Sequence, residues 1–140
     1  MHIPAIQTEA DYRGLYQDEE NWSEAIQAIA IRHGLHGQPR RLPLGTHIVY
    51  AVDDLVIKLF SPFWAEDYEA ERAVLTSKPR VVTPQIVAQG KLEAWPYLLL
   101  TQVPGGPAEG VWADLSMEVR RRLIQEIGTM LRCLHGQDLA

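Results

Sequence analysis

Residues 45–60, with the sequence GTHIVYAVDDLVIKLF, give the clearest indication of the fold. A glycine is followed by an apolar run, then by Asp53-Asp54, and then by a second apolar run. This order predicts a turn followed by a β-hairpin. Aspartate tolerates the positive φ that a two-residue hairpin turn requires. The second apolar run contains one charged residue, Lys58, and the other elements of the chain are best placed by reference to it.

A two-residue turn fixes which residues of this hairpin pair. Leu55 then lies opposite Val52, and Lys58 lies opposite Val49. Side chains alternate between the two faces of a strand, so the residues that share a face with Lys58 are Val49, Ala51, Val56 and Phe60. An ammonium among apolar side chains is costly unless it finds an anion or a carboxylate. The alternative is a lysine on an edge strand, whose stem lies on the sheet while its charged end reaches water.

Length and charge exclude several classes of protein. With 140 residues, 46% of them hydrophobic, the chain can bury one core. A net charge of -5 and the absence of a basic stripe argue against binding to nucleic acids or to an acidic membrane surface. No apolar run is long enough to span a bilayer, and the first residues lack the pattern of a signal peptide. The single cysteine, Cys133, cannot form an internal disulfide, as expected of a cytoplasmic protein.

The chain before the hairpin predicts one helix and one short strand. Residues 1–20 are polar and mixed, and they predict no regular element. Asn21 and Glu24 have the spacing of a capping box, and apolar residues follow at helical spacing, so we expect a helix over residues 21–33. Residues 40–44 contain Pro43, which fits an edge strand or its lead-in.

The chain after the hairpin predicts a helix, two strands and a break. Residues 65–75 are rich in Glu and Ala and predict a helix. Residues 83–90 and 95–101 predict two strands joined by a short polar turn. Residues 103–107, VPGGP, can continue neither a strand nor a helix, and they therefore predict a hinge.

A second, longer helix follows the hinge. Ser116 fits its N-cap, and His135-Gly136 fits its end. Apolar residues recur along one side of this helix, namely Val119, Leu123, Ile124, Ile127, Leu131 and Leu134. Such a stripe requires a surface to pack on.

The segments GTHIVYAV, LVIKLF, EAERAVL, LLLTQVPGGP and EIGTMLRCLHG occur in this order. Their order and spacing resemble the nucleotide-binding lobe of kinases, and more closely the aminoglycoside phosphotransferase family. The resemblance implies an α+β fold with an antiparallel sheet of about five strands, a packed helix, an N-terminal helix and a long C-terminal helix after a hinge. A protein kinase lobe fits less well, since a single glycine, Gly45, stands where protein kinases carry three.

The resemblance also implies a division of the chain into four parts. Residues 1–38 would be an N-terminal helical extension, and residues 39–102 would be the sheet and helix of the lobe. Residues 103–115 would be the hinge. Residues 116–140 would be the first helix of a C-terminal lobe.

By resemblance, Lys58 would bind the α- and β-phosphates of ATP. A helix glutamate holds such a lysine in kinases, and here Glu71 fits that role best, with Glu69 as the alternative. Gly45 would allow the loop before the hairpin to close over the phosphates. Magnesium would accompany ATP, with its ligands outside this chain.

The resemblance assigns the adenine site to residues on the same sheet face and in the segment after the last strand. Val49 and Val56 would lie against the adenine ring. The carbonyl of Thr101 and the amide of Val103 would meet its edge, and Leu100 would lie behind the pocket. Each is assigned by its position in the matching segments.

The catalytic residues of the family do not occur in this sequence. The family carries an HxDxxxxN loop and a metal-binding aspartate after the long helix, and His135 and Asp138 have the wrong spacing for that loop. We therefore assign no catalytic residue and no metal ligand. We expect an N-terminal part of a longer kinase, which transfers the γ-phosphate of ATP to a small-molecule hydroxyl only with its second lobe. The alternative is a non-catalytic module that forms a homodimer or a domain swap through the helix at residues 116–136.

Overall fold

The computed structural model of the protein describes residues 3–43 and 45–136. Leu44 and residues 137–140, among them Asp138, fall within predicted segments and lie outside the described residues, as do residues 1 and 2. In chain order, the α-helices and strands of the described residues are α1 (Glu9–Leu15), α2 (Glu20–Arg32), β1 (Arg40–Arg41), β2 (Ile48–Val52), β3 (Leu55–Leu59), α3 (Ala65–Thr76), β4 (Ile86–Leu92), β5 (Trp95–Thr101) and α4 (Met117–His135). Short 3₁₀ helices span Pro62–Trp64, Ala108–Gly110 and Trp112–Asp114.

The strands form one antiparallel sheet in the order β1-β2-β3-β5-β4. The hairpin has the predicted register, because Val52 pairs with Leu55 and Val49 pairs with Lys58. Asp53 adopts the positive φ that the tight turn requires, 54°. The predicted α+β fold with a five-stranded antiparallel sheet is confirmed.

Helices cover both faces of the sheet, which we call the back face and the front face. On the back face, α1 and α2 pack against the sheet, and Trp22 and Ile26 contact a core that includes Ile57 and Leu99. On the front face, α3 packs on a smaller cluster around Phe60, Leu98 and Leu100. Strand β5 is consequently buried from Trp95 to Leu100, which explains why its sequence is continuously apolar rather than alternating.

The structure corrects the prediction for the N-terminal segment. Helix α2 begins at Glu20, so Asn21 is not its N-cap; its side-chain amide instead donates to the carbonyl of Leu15, 3.3 Å away. The capping box lies earlier, at α1, where the hydroxyl of Thr8 accepts from Asp11 N–H and the carboxylate of Asp11 accepts from Thr8 N–H. Helix α1 was not predicted because it has seven residues and a mostly polar sequence, too short for a helical period to show.

The C-terminal part of the described chain follows the prediction closely. Residues 102–107 form neither strand nor helix, and the hydroxyl of Ser116 caps α4 by accepting from Val119 N–H at 3.3 Å. No residue of α4 is buried. No helix within residues 3–43 and 45–136 is long and apolar enough to cross a membrane.

Gly90 on β4 provides a test of the packing between β4 and β5. A Cβ atom at this position would lie 2.5 Å from the hydroxyl oxygen of Tyr97 and 2.7 Å from its Cζ. Tyr97 is buried, and its hydroxyl lies 2.9 Å from His33 Nε2. We predict that Gly90→Ala lowers the free energy of unfolding by about 1–3 kcal/mol, because the tyrosine ring must shift in a filled core. Urea unfolding followed by circular dichroism measures this effect.

The matched control is Gly14→Ala in α1, where an added Cβ meets no atom within 4 Å. This variant should be neutral or slightly more stable, since alanine favours a helix over glycine. An equal loss of stability in both variants would contradict the steric explanation.

Candidate functional site

Lys58 forms an ion pair with Glu71 on the front face of the sheet. The two side chains are only 21% and 28% exposed. Lys58 belongs to β3, which lies between β2 and β5, so the alternative of a lysine on an edge strand is wrong. A partly buried ammonium is instead compensated by a carboxylate from α3, which limits the cost of removing both charges from water.

The structure also decides which glutamate of α3 meets Lys58. Glu69 lies two residues before Glu71 and therefore points to another side of the helix. It pairs with Arg72 at 2.7 Å, and its side chain is 60% exposed. Glu71 alone of these two glutamates contacts Lys58.

An apolar cleft of about 530 Å³ lies beside this ion pair. Its floor includes Val49, Val56 and Leu100 from three neighbouring strands. Its rim includes Thr101, the last residue of β5, and Val103 from the segment that follows. The cleft therefore brings together the five residues that the sequence predicts around an adenine ring.

Lys58, Glu71 and Gly45 do not line this cleft. Lys58 nevertheless adjoins it, since it pairs with Val49 across the hairpin and follows Val56 by two residues on the same strand. Gly45 lies in the loop before β2, has a φ of 102° and is exposed. We refer to residues 45–47 as the glycine loop.

The rim of the cleft offers backbone groups to a ligand. Thr101 N–H donates to the carbonyl of Gln85 at 2.9 Å, and Gln102 N–H donates to the carbonyl of Asp54 at 3.4 Å. The Val103 amide donates to no other residue in the ranges that the structure describes. A flat ring in the cleft that carries an acceptor atom at its edge could therefore accept a hydrogen bond from the Val103 amide, while an attached anionic group could reach Lys58.

His47 is a residue of this site that the sequence interpretation missed. It is 8% exposed, its Nε2 lies 3.2 Å from a carboxylate oxygen of Asp67, and its ring centroid lies 4.7 Å from that of Phe60. Its Nδ1 is buried and has no partner among the described residues. The sequence could have predicted this position. Side chains alternate along a strand, so His47 lies on the same face as Val49, and Val49 shares its face with Lys58.

Burial lowers the pKa of His47, and the nearby positive charge of Lys58 lowers it further, against an opposing effect of Asp67 and Glu71. The imidazole is therefore neutral at neutral pH.

A larger cleft of about 710 Å³ lies between the C-terminal end of α3 and the segment leading into β4. Among its described lining residues, Lys78 is the only ionisable one. Volume alone does not make a functional site, and it is the smaller cleft that adjoins the Lys58–Glu71 ion pair. Within residues 3–43 and 45–136, no three His, Cys, Asp or Glu side chains form a group that could hold a metal ion.

Comparison with known proteins gives one match. A family model described as the phosphotransferase enzyme family matches residues 40–140. No curated protein and no solved structure matches the chain. The match includes the whole cleft and the ion pair, and it excludes α1 and α2.

We predict that His47 makes the protein less stable in mildly acidic solution. Its lowered pKa means that the unfolded chain binds a proton near pH 6.5 while the folded chain does not. The free energy of unfolding should therefore fall as the pH drops below about 6.5. In His47→Gln the fall between pH 7.5 and 5.5, measured by urea unfolding, should be smaller than in the wild type.

His36→Gln, at an exposed position, is the matched control. The comparison isolates the contribution of one imidazole, because each variant removes one histidine and replaces no carboxylate. The same pH dependence in the wild type and both variants would rule out His47 as its source.

Proposed function

The chain belongs to the phosphotransferase enzyme family, and we propose that it forms the ATP-binding lobe of a small-molecule phosphotransferase. The observation that carries this proposal is the position of the Lys58–Glu71 ion pair beside an apolar cleft on the same face of the sheet. An apolar slot next to a compensated ammonium fits a ligand with a flat ring at one end and phosphates at the other.

In this proposal the adenine ring lies between Val49, Val56 and Leu100. Its edge meets the carbonyl of Thr101 and the amide of Val103. With a volume of about 530 Å³, the cleft is large enough for a nucleotide base. Small-molecule sites are commonly apolar, with a few polar groups that fix the orientation of the ligand.

The phosphates extend from the cleft toward Lys58. Bound ATP supplies the transferable γ-phosphoryl group, and magnesium neutralises part of its charge. Lys58 binds and orients the phosphates, and Glu71 holds the lysine side chain along the sheet. Gly45 lets the glycine loop approach the phosphates closely.

The transfer step needs a base and metal ligands, which we assign to a C-terminal lobe rather than to the described residues. Residues 39–102 then form the nucleotide lobe, and residues 103–115 form the hinge. Residues 116–140 begin the second lobe, which holds the hydroxyl acceptor. Residues 1–38 form a helical extension of the first lobe.

The proposal predicts that Lys58→Ala weakens the binding of ATP with magnesium at least ten-fold. A hydrogen bond to a charged group contributes about 1.5–3 kcal/mol, and isothermal titration calorimetry measures its loss directly. Glu71→Gln should weaken binding less, because the lysine remains but is no longer held by an ionised carboxylate. The matched controls are Lys91→Ala, an exposed lysine on β4, and Glu69→Gln. Equal affinity in all five proteins, or no binding by the wild type, would overturn the proposal.

The exposed apolar side of α4 favours a second candidate, a non-catalytic module that associates through this helix. Ile124, Ile127 and Leu131 are 59%, 50% and 47% exposed, and they follow one another at helical spacing. An apolar stripe of this kind marks a contact surface. A second copy of the chain could cover it in a homodimer or a domain swap.

Sedimentation velocity tests this candidate. If the chain is such a module, the wild type should be a dimer at micromolar concentration and Ile127→Glu should be a monomer. A carboxylate buried in the contact would lose its hydration without gaining a partner, which is unfavourable. Gln125→Glu adds the same charge two residues away, on another side of α4, and should leave the dimer intact. A wild-type monomer would count against the module, whereas ATP binding by that monomer would favour the nucleotide lobe.

A further inference from the structure

The glycine loop is hydrogen-bonded to two tyrosines from the N-terminal segment. The hydroxyl of Tyr12 donates to the carbonyl of Thr46 at 2.6 Å, and the hydroxyl of Tyr16 donates to the carbonyl of Gly45. The partners are 34 and 29 residues apart in the sequence. Tyr12 and Tyr16 lie outside the range that the family model matches, whereas the loop lies inside it.

The core of the back face holds the Tyr12 ring in place. Its centroid lies 5.0 Å from that of Trp64, 5.9 Å from that of Trp22 and 5.9 Å from that of Trp95. The side chain is 2% exposed. Burial raises the pKa of the Tyr12 hydroxyl, so it stays protonated and remains a donor.

Arg41 of β1 holds Tyr16. The guanidinium carbon lies 4.9 Å from the centre of the Tyr16 ring, and Nη2 donates to the Tyr16 carbonyl at 3.2 Å. Both hydroxyls are therefore positioned by packing that does not involve the loop.

These bonds determine where the amides of the loop point. In a trans peptide the N–H group points away from the carbonyl of the same unit. Because the carbonyls of Gly45 and Thr46 face the N-terminal helices on the back, the N–H groups of Thr46 and His47 face the front, which is the side of Lys58. Neither amide donates to another residue in the described ranges.

We propose that Tyr12 and Tyr16 are positioning residues for phosphate binding: their hydroxyls turn two successive backbone N–H groups of the glycine loop toward the anion that Lys58 binds. Successive amides that converge on one side form a concave anion site. The inference rests on the proposed function, because it takes the anion to be the phosphates of a nucleotide. It assigns the N-terminal helices a role in ligand binding beyond covering the sheet.

The test compares a ligand with phosphates and one without. Calorimetry measures the affinity of ADP with magnesium and of adenosine for the full chain and for the double variant Tyr12→Phe, Tyr16→Phe. Phenylalanine keeps the ring packing and removes only the hydroxyls. The affinity for ADP should fall by roughly two- to ten-fold for each hydroxyl removed, since each bond contributes about as much as an ordinary hydrogen bond. The affinity for adenosine should not change.

Tyr97→Phe is the matched control. Tyr97 is a buried tyrosine of the same back-face core, and its hydroxyl lies 2.9 Å from His33 Nε2, away from the loop. This variant should bind ADP as the wild type does. An equal loss for ADP and adenosine in the double variant, or an equal loss of ADP affinity in Tyr97→Phe, would show general damage to the fold and overturn the proposal.

A second measurement separates this inference from the proposed function. Nitrogen-15 relaxation reports the order of the Gly45, Thr46 and His47 amides without any ligand. Their order parameters should fall in the double variant and not in Tyr97→Phe, and unchanged values would overturn the anchoring role. A wild type that binds neither ADP nor adenosine would overturn the nucleotide function, while the relaxation data would still decide whether the tyrosines hold the loop.

Discussion

A positive charge on a central strand is the strictest constraint on this structure. Lys58 lies on β3, with β2 on one side and β5 on the other, and most of its side chain is removed from water. An ammonium in such surroundings is tolerated only with a well-placed carboxylate or anion. Glu71 supplies the carboxylate because α3 crosses the same face with that residue turned inward. The Lys58–Glu71 pair thus requires α3 to lie on this face with Glu71 turned toward the sheet.

The incomplete cover of the front face creates the cleft. On the back face, α1 and α2 bury side chains of β2, β3 and β5 in one continuous core. On the front face, α3 covers Phe60, Leu98 and Leu100 but leaves Val49 and Val56 partly exposed. The uncovered apolar strip meets the segment after β5, which its prolines and glycines keep out of regular structure. A concave apolar surface is therefore left beside the ion pair.

The glycine loop is the point where the two layers meet. Its carbonyls contact tyrosines of the back layer, and the side chain of His47 contacts Asp67 of α3 in the front layer. The loop is consequently held from both sides although Gly45 and Thr46 are themselves exposed. The ring of His47 lies near Phe60, Asp67 and the Lys58–Glu71 pair on the front face. Its centroid also lies 6.5 Å from that of Trp64, which packs against the core of the back face, so a change of charge at His47 would act on both layers.

Local patterns in the sequence are enough to predict the hairpin and its register, the strand β5, the break after it and the cap of α4. These features depend on residues close together in the chain, through alternation, turn type and capping. The sequence also indicates that Lys58 needs a carboxylate or an anion, but it leaves Glu69 and Glu71 as alternatives. Only the folded structure selects Glu71, places His47 against Asp67 and joins Tyr12 and Tyr16 to the glycine loop. Each of these contacts joins separate elements, from 13 to 34 residues apart, and no local pattern records how helices rotate and pack on a sheet.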